Sequence, residues 1–581
     1  MGLLQSNPCA RDIWLAFKDL CLVSPLSGST TRIAVVILAL FYPLQVYRRQ
    51  QRTTHIRGPQ SPGWVFGFAK IMLDSTATTE LYERWAKEYG PVYKVPGIFG
   101  QSRVVLWDPK AISHFFARDT WLYNQTPFNK IVVQTVMGRG VLWADGESHQ
   151  RQRKALNPAF TAAVIRNLTS VFHDAAHKTA IAWDNEIELN QGTHCATIDV
   201  QQWMNHISLD SAGIAVLSHD FGALDGNDSD VGHILNAFGS STNVPSNLII
   251  LAQNFPFILK LPLPAIRFSL KLRLIVGKIC QEMLLRTRKE NETGGAEQAE
   301  GYGESAGLTP QEVLDEVHES LNSFERWDAD LCLRQARVLL LAGFETTAVS
   351  MTWALVELAQ NPDIQRKLRD ECLEFGPTPS YDDLTNKLPY LDAVVNEVLR
   401  LHAPLKEIPR LAMQDDVIPL SEPLRTAAGN FMESVCIPKG TVIVIPLAAL
   451  NCSVSMWGPD AKAFKPSRWF EGDEGMLDAR ETLHGYRHLM TFGDGAQTCL
   501  GKLFALAEFK AVLFVLVRKF VFEMDDPGVQ IVDSLGSLPR PGAVGSAEAG
   551  SVPLRARAGG TGTDCKGTQG QTSIAGGYGS V

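Results

Sequence analysis

This chain has no CxxC pair, although its 581 residues include ten cysteines. That excludes a zinc ribbon and a dithiol redox centre. The thiols (Cys9, Cys21, Cys195, Cys280, Cys332, Cys372, Cys436, Cys452, Cys499 and Cys565) are scattered and read as reduced and mostly buried. An excess of positive charge is missing too: the net charge is −8, with both signs spread along the chain. Nucleic acid is therefore not an expected partner, because it needs a basic face. No segment repeats at a fixed period, which argues against a solenoid. A hydrophobic fraction of 45% excludes global disorder.

Long apolar runs are also scarce. The N-terminal run IAVVILALFYPLQV, Ile33 to Val46, spans roughly 21 Å as a helix, against a hydrocarbon core of about 30 Å. Arg48, Arg49, Arg52 and Arg57 follow it and place the C-terminal side in the cytosol. The run reads as an uncleaved anchor, with an interfacial helix as the alternative. The expected organisation is an N-terminal segment 1–30, an anchor 31–47, a Pro/Gly hinge 48–62, one large domain 63–557 and a disordered Gly-rich tail 558–581. The acidic, Gly-rich stretch 289–310 reads as an exposed loop.

Helical periodicity dominates the body. It predicts helices over 81–88, 147–155, 162–186, 331–360, 362–375, 391–401 and 502–520. Strand-like pieces are few and short: PVYKV, SRVVLW and TVIVIPL. The fold class is mainly α with a small β-rich region, not an alternating βαβ enzyme. The apolar, proline-broken run Ser246 to Phe268 is either a substrate entrance or membrane-dipping segment, or an ordinary core connection.

Three constellations carry chemistry. In TFGDGAQTCLGK (Thr491 to Lys502), Gly493, Gly495 and Gly501 allow a tight turn and leave room for a flat ligand. Cys499 sits at a helix start, where the dipole favours a thiolate, a good axial ligand for haem iron. In LLLAGFETTAVS, Glu345 and Thr346 place an acid and an alcohol on a buried helix, a pair able to relay protons. The bland alternative is a solvated acid and a Thr bonded to its own helix. In NEVLRLHAP, Glu397 and Arg400 share a helix face, and Arg468 of FKPSRWF is a candidate third member.

In this order and spacing, the motifs resemble those of the cytochrome P450 family, haem-thiolate monooxygenases, from Pro59 to Arg557. FGDGAQTCLG matches the haem loop, with Phe492, Gly493, Gly495, Cys499 and Gly501 in register, and AGFETT matches the oxygen-activation stretch. EVLR and FKPSRW supply the triad, and GESHQRQR places His149 and Arg153 where members contact a haem propionate. The details resemble fungal membrane-bound members. The chain departs from the pattern at Gln497, where the family has Arg, and at Phe344. Arg410 falls where the family places a further propionate-binding Arg.

The resemblance implies haem b (iron protoporphyrin IX) between the long central helix and the Cys-loop helix, with Cys499 on the iron. It implies electrons from NADPH through a reductase (cytochrome b5 being a further donor), and O2 as co-substrate. One oxygen atom is then inserted into a lipophilic molecule by hydroxylation or epoxidation, with Glu345 and Thr346 organising proton delivery. Pocket walls are expected from 125–143, 338–347 and 405–408, with Lys406 and Glu407 as a polar handle or a mutual pair. The first substrate expectation is a fungal secondary metabolite such as a terpenoid, then a fatty acid, sterol or xenobiotic. Localisation at the endoplasmic reticulum membrane follows from the anchor. The rival classes are a reductase-independent haem-thiolate isomerase and a non-catalytic haem binder.

Overall fold

The computed structural model describes residues 56–74, 78–190, 195–226, 246–260, 264–292, 329–470, 485–534, 538–544 and 550–559. The expected anchor, most of the 289–310 loop and all but the start of the tail lie outside these residues. We number the longer helices α1 (Thr78–Tyr89), α2 (Pro109–Phe116), α3 (Pro127–Val136), α4 (Gly146–Leu156), α5 (Ala162–Leu189), α6 (Val200–Leu217), α7 (Ser246–Asn254), α8 (Pro264–Glu292), α9 (Ala329–Gln360), α10 (Pro362–Phe375), α11 (Pro389–Leu401) and α12 (Lys502–Lys519).

Local chemistry explains several helix starts. Asp108 accepts from the backbone N–H of Ala111 at 2.8 Å and starts α2. Thr126 does the same for Asn129 at α3. Proline occupies the first turn of α2, α3, α10 and α11, where its missing N–H costs nothing. Helix α9 is apolar enough to cross a membrane by composition, yet 78% of its apolar window is buried inside the protein, so it is a core helix.

The strands are β1 (Val92–Pro96), β2 (Ser102–Leu106), β3 (Tyr123–Gln125), β4 (Cys195–Asp199), β5 (Ile408–Ala412), β6 (Asp416–Arg425), β7 (Phe431–Ile437), β8 (Val442–Ile445), β9 (Phe520–Met524), β10 (Ile531–Ser534), β11 (Arg540–Ala543) and β12 (Pro553–Ala558). They form a five-stranded sheet in the order β1-β2-β8-β5-β3, a three-stranded sheet β4-β12-β9, and the hairpins β6-β7 and β10-β11. In the first sheet only β2 and β8 run parallel. Its pairing sets Arg410 opposite Gln125.

One large core cluster joins α5, α9, α10, α11 and α12 to the first sheet. A second gathers Phe344 of α9 with Leu209 and Ala212 of α6 and Leu272 and Val276 of α8. Phe344, a departure from the family pattern, therefore serves helix packing. Gly343 does the same: a Cβ there would lie 3.8 Å from the Cβ of Ala212. The expectation of uniformly reduced thiols fails at Cys195, which is disulfide-bonded.

Candidate active site

The Cys499 loop is closed by its own backbone. The N–H of Cys499 donates to Phe492 O at 2.8 Å, and Gly493 and Gly495 both take φ = 67°. At Gly495 a Cβ would lie 2.4 Å from Phe116 O, so only glycine fits beneath α2. At Gly493 and Gly501 the nearest atoms to a Cβ are 3.9 Å away, which leaves a shallow cradle along the backbone. Gly501 caps α12. Arg153 of α4 donates to Thr498 O and braces the peptide before Cys499.

Cys499 is exposed on one side, yet desolvation pushes its thiol up. The Gly501 N–H, Arg153 and Lys502 pull the thiol back down, as a helix start should, but desolvation dominates. A coordinating metal ion removes such a proton outright.

Glu397, Arg400 and Arg468 are fully buried and in contact. Arg400 donates Nε to Glu397 Oε2 at 2.9 Å and a terminal nitrogen to Oε1 at 2.8 Å. Arg468 Nε reaches Oε1 at 3.2 Å. Sequence reasoning missed three further members. Trp469 Nε1 donates to Glu397 Oε2 at 3.0 Å, Asp460 pairs with Arg468 at 2.8 Å, and Asn451 O accepts from Arg400 at 2.9 Å. Asp460, partly exposed and shared with Lys465 at 3.0 Å, offsets the second guanidinium. The Asn451 side chain then bonds Thr491 Oγ1 at 2.8 Å and the Met490 N–H at 2.9 Å, which ties the triad to the start of the Cys499 loop.

On α9, Ala342 is exposed and Thr346 half-buried within an otherwise buried stretch. The Thr346 hydroxyl donates to Ala342 O at 2.8 Å, as the bland alternative has it. Glu345 is not a solvated acid. It is buried, and its Oε1 accepts from Arg540 of β11 at 2.8 and 3.1 Å. Arg540 had no signal in the sequence, because its partner lies 195 residues away.

A polar layer lies beside the loop. Arg410 donates to Asp119 Oδ1 at 3.0 Å and to Gln497 Oε1 at 2.6 Å, while Gln497 Nε2 is buried without a partner. His149 is buried, and desolvation, then the Arg153 charge, lowers its pKa. The orphaned amide, the glycine cradle and the accessible thiol suit a flat, anionic-edged, iron-bearing group such as haem. Lys406 and Glu407 do not pair with each other. Lys406 binds Asp533 of β10 at 2.8 Å, and Glu407 binds Arg103 at 3.1 Å and Tyr82.

An apolar cavity of about 160 Å³ lies among α3, α7, the turn Pro256–Lys260 and α8, lined by Phe128, Val132, Leu248, Ile249 and Ile258. No lining residue belongs to α9 or the Cys499 loop, so the cavity is an outer chamber rather than the reacting centre. Leu248, Ile249, Ala252, Ile258, Leu259 and Ile266 of the Ser246–Phe268 run line it.

A family model described as cytochrome P450 matches residues 57–543. The cytochrome P450 monooxygenase claW of Ampulloclitocybe clavipes is 46% identical over 537 residues, covering 90% of this chain and 97% of that protein. Cytochrome P450 monooxygenase 128 of Postia placenta is 33% identical over 508 residues, covering 86% and 91%. The ganoderic acid synthetase of Ganoderma lucidum is 33% identical over 456 residues, covering 75% and 82%. With that coverage, and with a glycine-cradled cysteine tied to a buried Glu–Arg–Arg cluster, the chain belongs to the cytochrome P450 family of monooxygenases.

Proposed function

We propose that the chain uses haem b, held by Cys499, and NADPH-derived electrons to oxidise a lipophilic secondary metabolite, a terpenoid before a fatty acid, sterol or xenobiotic. The observation that carries the substrate reading is the apolar chamber, whose polar lining residues are the hydroxyl-bearing Thr135 and Ser269. The ganoderic acid synthetase relative supports the secondary-metabolite choice by its name. Phe257, 63% exposed, and Leu270, 43% exposed, are each next in sequence to a lining residue. Exposed apolar side chains of this kind support uptake from a bilayer, with the N-terminal run as anchor in the endoplasmic reticulum membrane and cytochrome b5 as a further donor.

The haem, when bound, supplies dioxygen binding and oxygen insertion. The chain's own residues position and protect. Cys499 would hold the iron through its sulfur, and Phe492 packs against Tyr486 with ring centroids 5.6 Å apart beside the loop. His149, Arg153, Arg410 and Gln497 form the polar edge, with Gly493 and Gly501 as the floor. Arg540 fixes the direction of the Glu345 carboxylate, and Thr346 Oγ1 keeps lone pairs to accept a proton or a water. Those two side chains carry the proton relay.

Microsomes carrying the full chain, reduced under carbon monoxide, are expected to give the thiolate-type Soret band and then NADPH-dependent turnover on a lipophile panel. Absence of the band refutes the haem-thiolate reading. A band without electron-dependent turnover favours the isomerase or the binder.

A further inference from the structure

Asp119, Arg410 and Gln497 come from the turn after α2, from β5 and from the Cys499 loop, and they form one hydrogen-bonded row. Arg410 spends Nε on Asp119 Oδ1 at 3.0 Å, one terminal nitrogen on Pro409 O at 3.2 Å, and the other on Gln497 Oε1 at 2.6 Å. A guanidinium on the amide oxygen fixes which way the amide points. Gln497 therefore presents Nε2, the buried atom without a partner.

Two of the cations around this row have counter-ions. Asp119 is 1% exposed and offsets Arg410; its Oδ2 has no hydrogen-bond partner. Lys130 of α3 is paired with Asp145. Burial and Arg153 disfavour the cationic form of His149. Among the described residues, Arg153, turned toward Thr498 O, and Lys502, whose charge acts on Cys499 from the start of α12, are cations beside the loop without a counter-ion. In the family pattern an Arg at position 497 would add a further positive charge. Adding an electron to a haem in a low-dielectric site places negative charge there, which costs more when the surroundings are less positive.

We propose that Asp119 is a positioning residue for the haem: it cancels the charge of Arg410 and, through it, holds Gln497 as a neutral donor to a propionate, which favours the ferric state. This rests on the haem b reading above.

The test is a redox titration of purified, substrate-free holoenzyme followed at the Soret band, with haem content measured first as the pyridine haemochrome. Asp119→Asn keeps an acceptor for Arg410 Nε and for the Thr120 N–H (2.9 Å to Oδ1) but removes the charge. It is expected to move the ferric–ferrous equilibrium toward ferrous by about tenfold or more, a rise of about 59 mV for one electron. Gln497→Glu adds a negative charge on the other side of Arg410 and is expected to move the midpoint down. A wild-type chain without haem overturns the cofactor reading itself. Haem-loaded Asp119→Asn with the wild-type midpoint overturns the inference. Should Asp119→Asn fail to fold, an unchanged midpoint in Gln497→Glu overturns it equally.

Discussion

The Glu397 carboxylate accepts from Arg400, Arg468, Trp469 and the Lys465 backbone N–H, and among the described residues it is the only anion that meets both guanidiniums. Glu397→Gln keeps the shape but leaves two buried cations with Asp460 alone. We expect a loss of about 3–5 kcal/mol, read by denaturant unfolding of the holoprotein. Glu508 of α12 lies at the opposite extreme: it is fully buried, and burial pushes its carboxyl up to about 8 although Ser211 and Ser208 pull it down. Its pKa is raised above the unfolded value, so its contribution to stability is full below about pH 4.5 and is lost as pH rises through about 8. Glu508→Gln should therefore flatten the pH dependence of stability over that window and stabilise the protein at pH 8, checked by unfolding at both ends. At Glu345, replacement by Gln is expected to lower kcat by about 10² or more while substrate-binding spectra stay unchanged. The motif residues were legible one by one. Their partners Asp119, Asp460 and Arg540 were not, because isolated charges carry no spacing signal.

At the scale of elements, the hairpin β10-β11 links two parts of the site. Asp533 on one strand holds Lys406, and Arg540 on the other holds Glu345 of α9. Arg540→Ala cuts the second link and leaves a buried carboxylate without this partner. Faster amide exchange in β10-β11 and in α9 around Glu345 is the expected outcome; exchange confined to the hairpin would mean that the pair does not brace α9. Helices were the readable elements. The periodicity predicts 362–375 and the structure has Pro362–Phe375; 162–186 is observed as Ala162–Leu189. Helix α6 was missed, although Asp199 caps it through the Gln201 N–H at 3.1 Å. Its polar residues Gln201, Asn205, Ser208 and Asp210 are buried against neighbouring helices, which blurs the amphipathic pattern. The C-terminal strands were equally hidden, because β12 pairs with β4, over three hundred residues earlier in sequence, as well as with β9.

For the whole molecule, deleting the residues before Arg48 should release much of the protein from membranes, measured by fractionation. Retention on the pellet would instead point to the exposed apolar side chains of Phe257 and Leu270 as a sufficient contact. Topology has its own reporter in the sequons at Asn124 and Asn167, which stay unmodified if the body faces the cytosol. Asn451 cannot serve, since its amide is fully buried and bonded to Thr491.

Residue type and spacing alone determined the helical class and singled out the Glu–Arg–Arg cluster. Those depend on contacts within a few residues, or on motifs whose order suffices. Tertiary structure decided what the remaining charges do. It gave Glu345 to Arg540, Lys406 to Asp533, and Arg410 to both Asp119 and Gln497. Burying an ion forces it to find a counter-ion wherever the fold brings one, and that choice is made in space rather than along the chain.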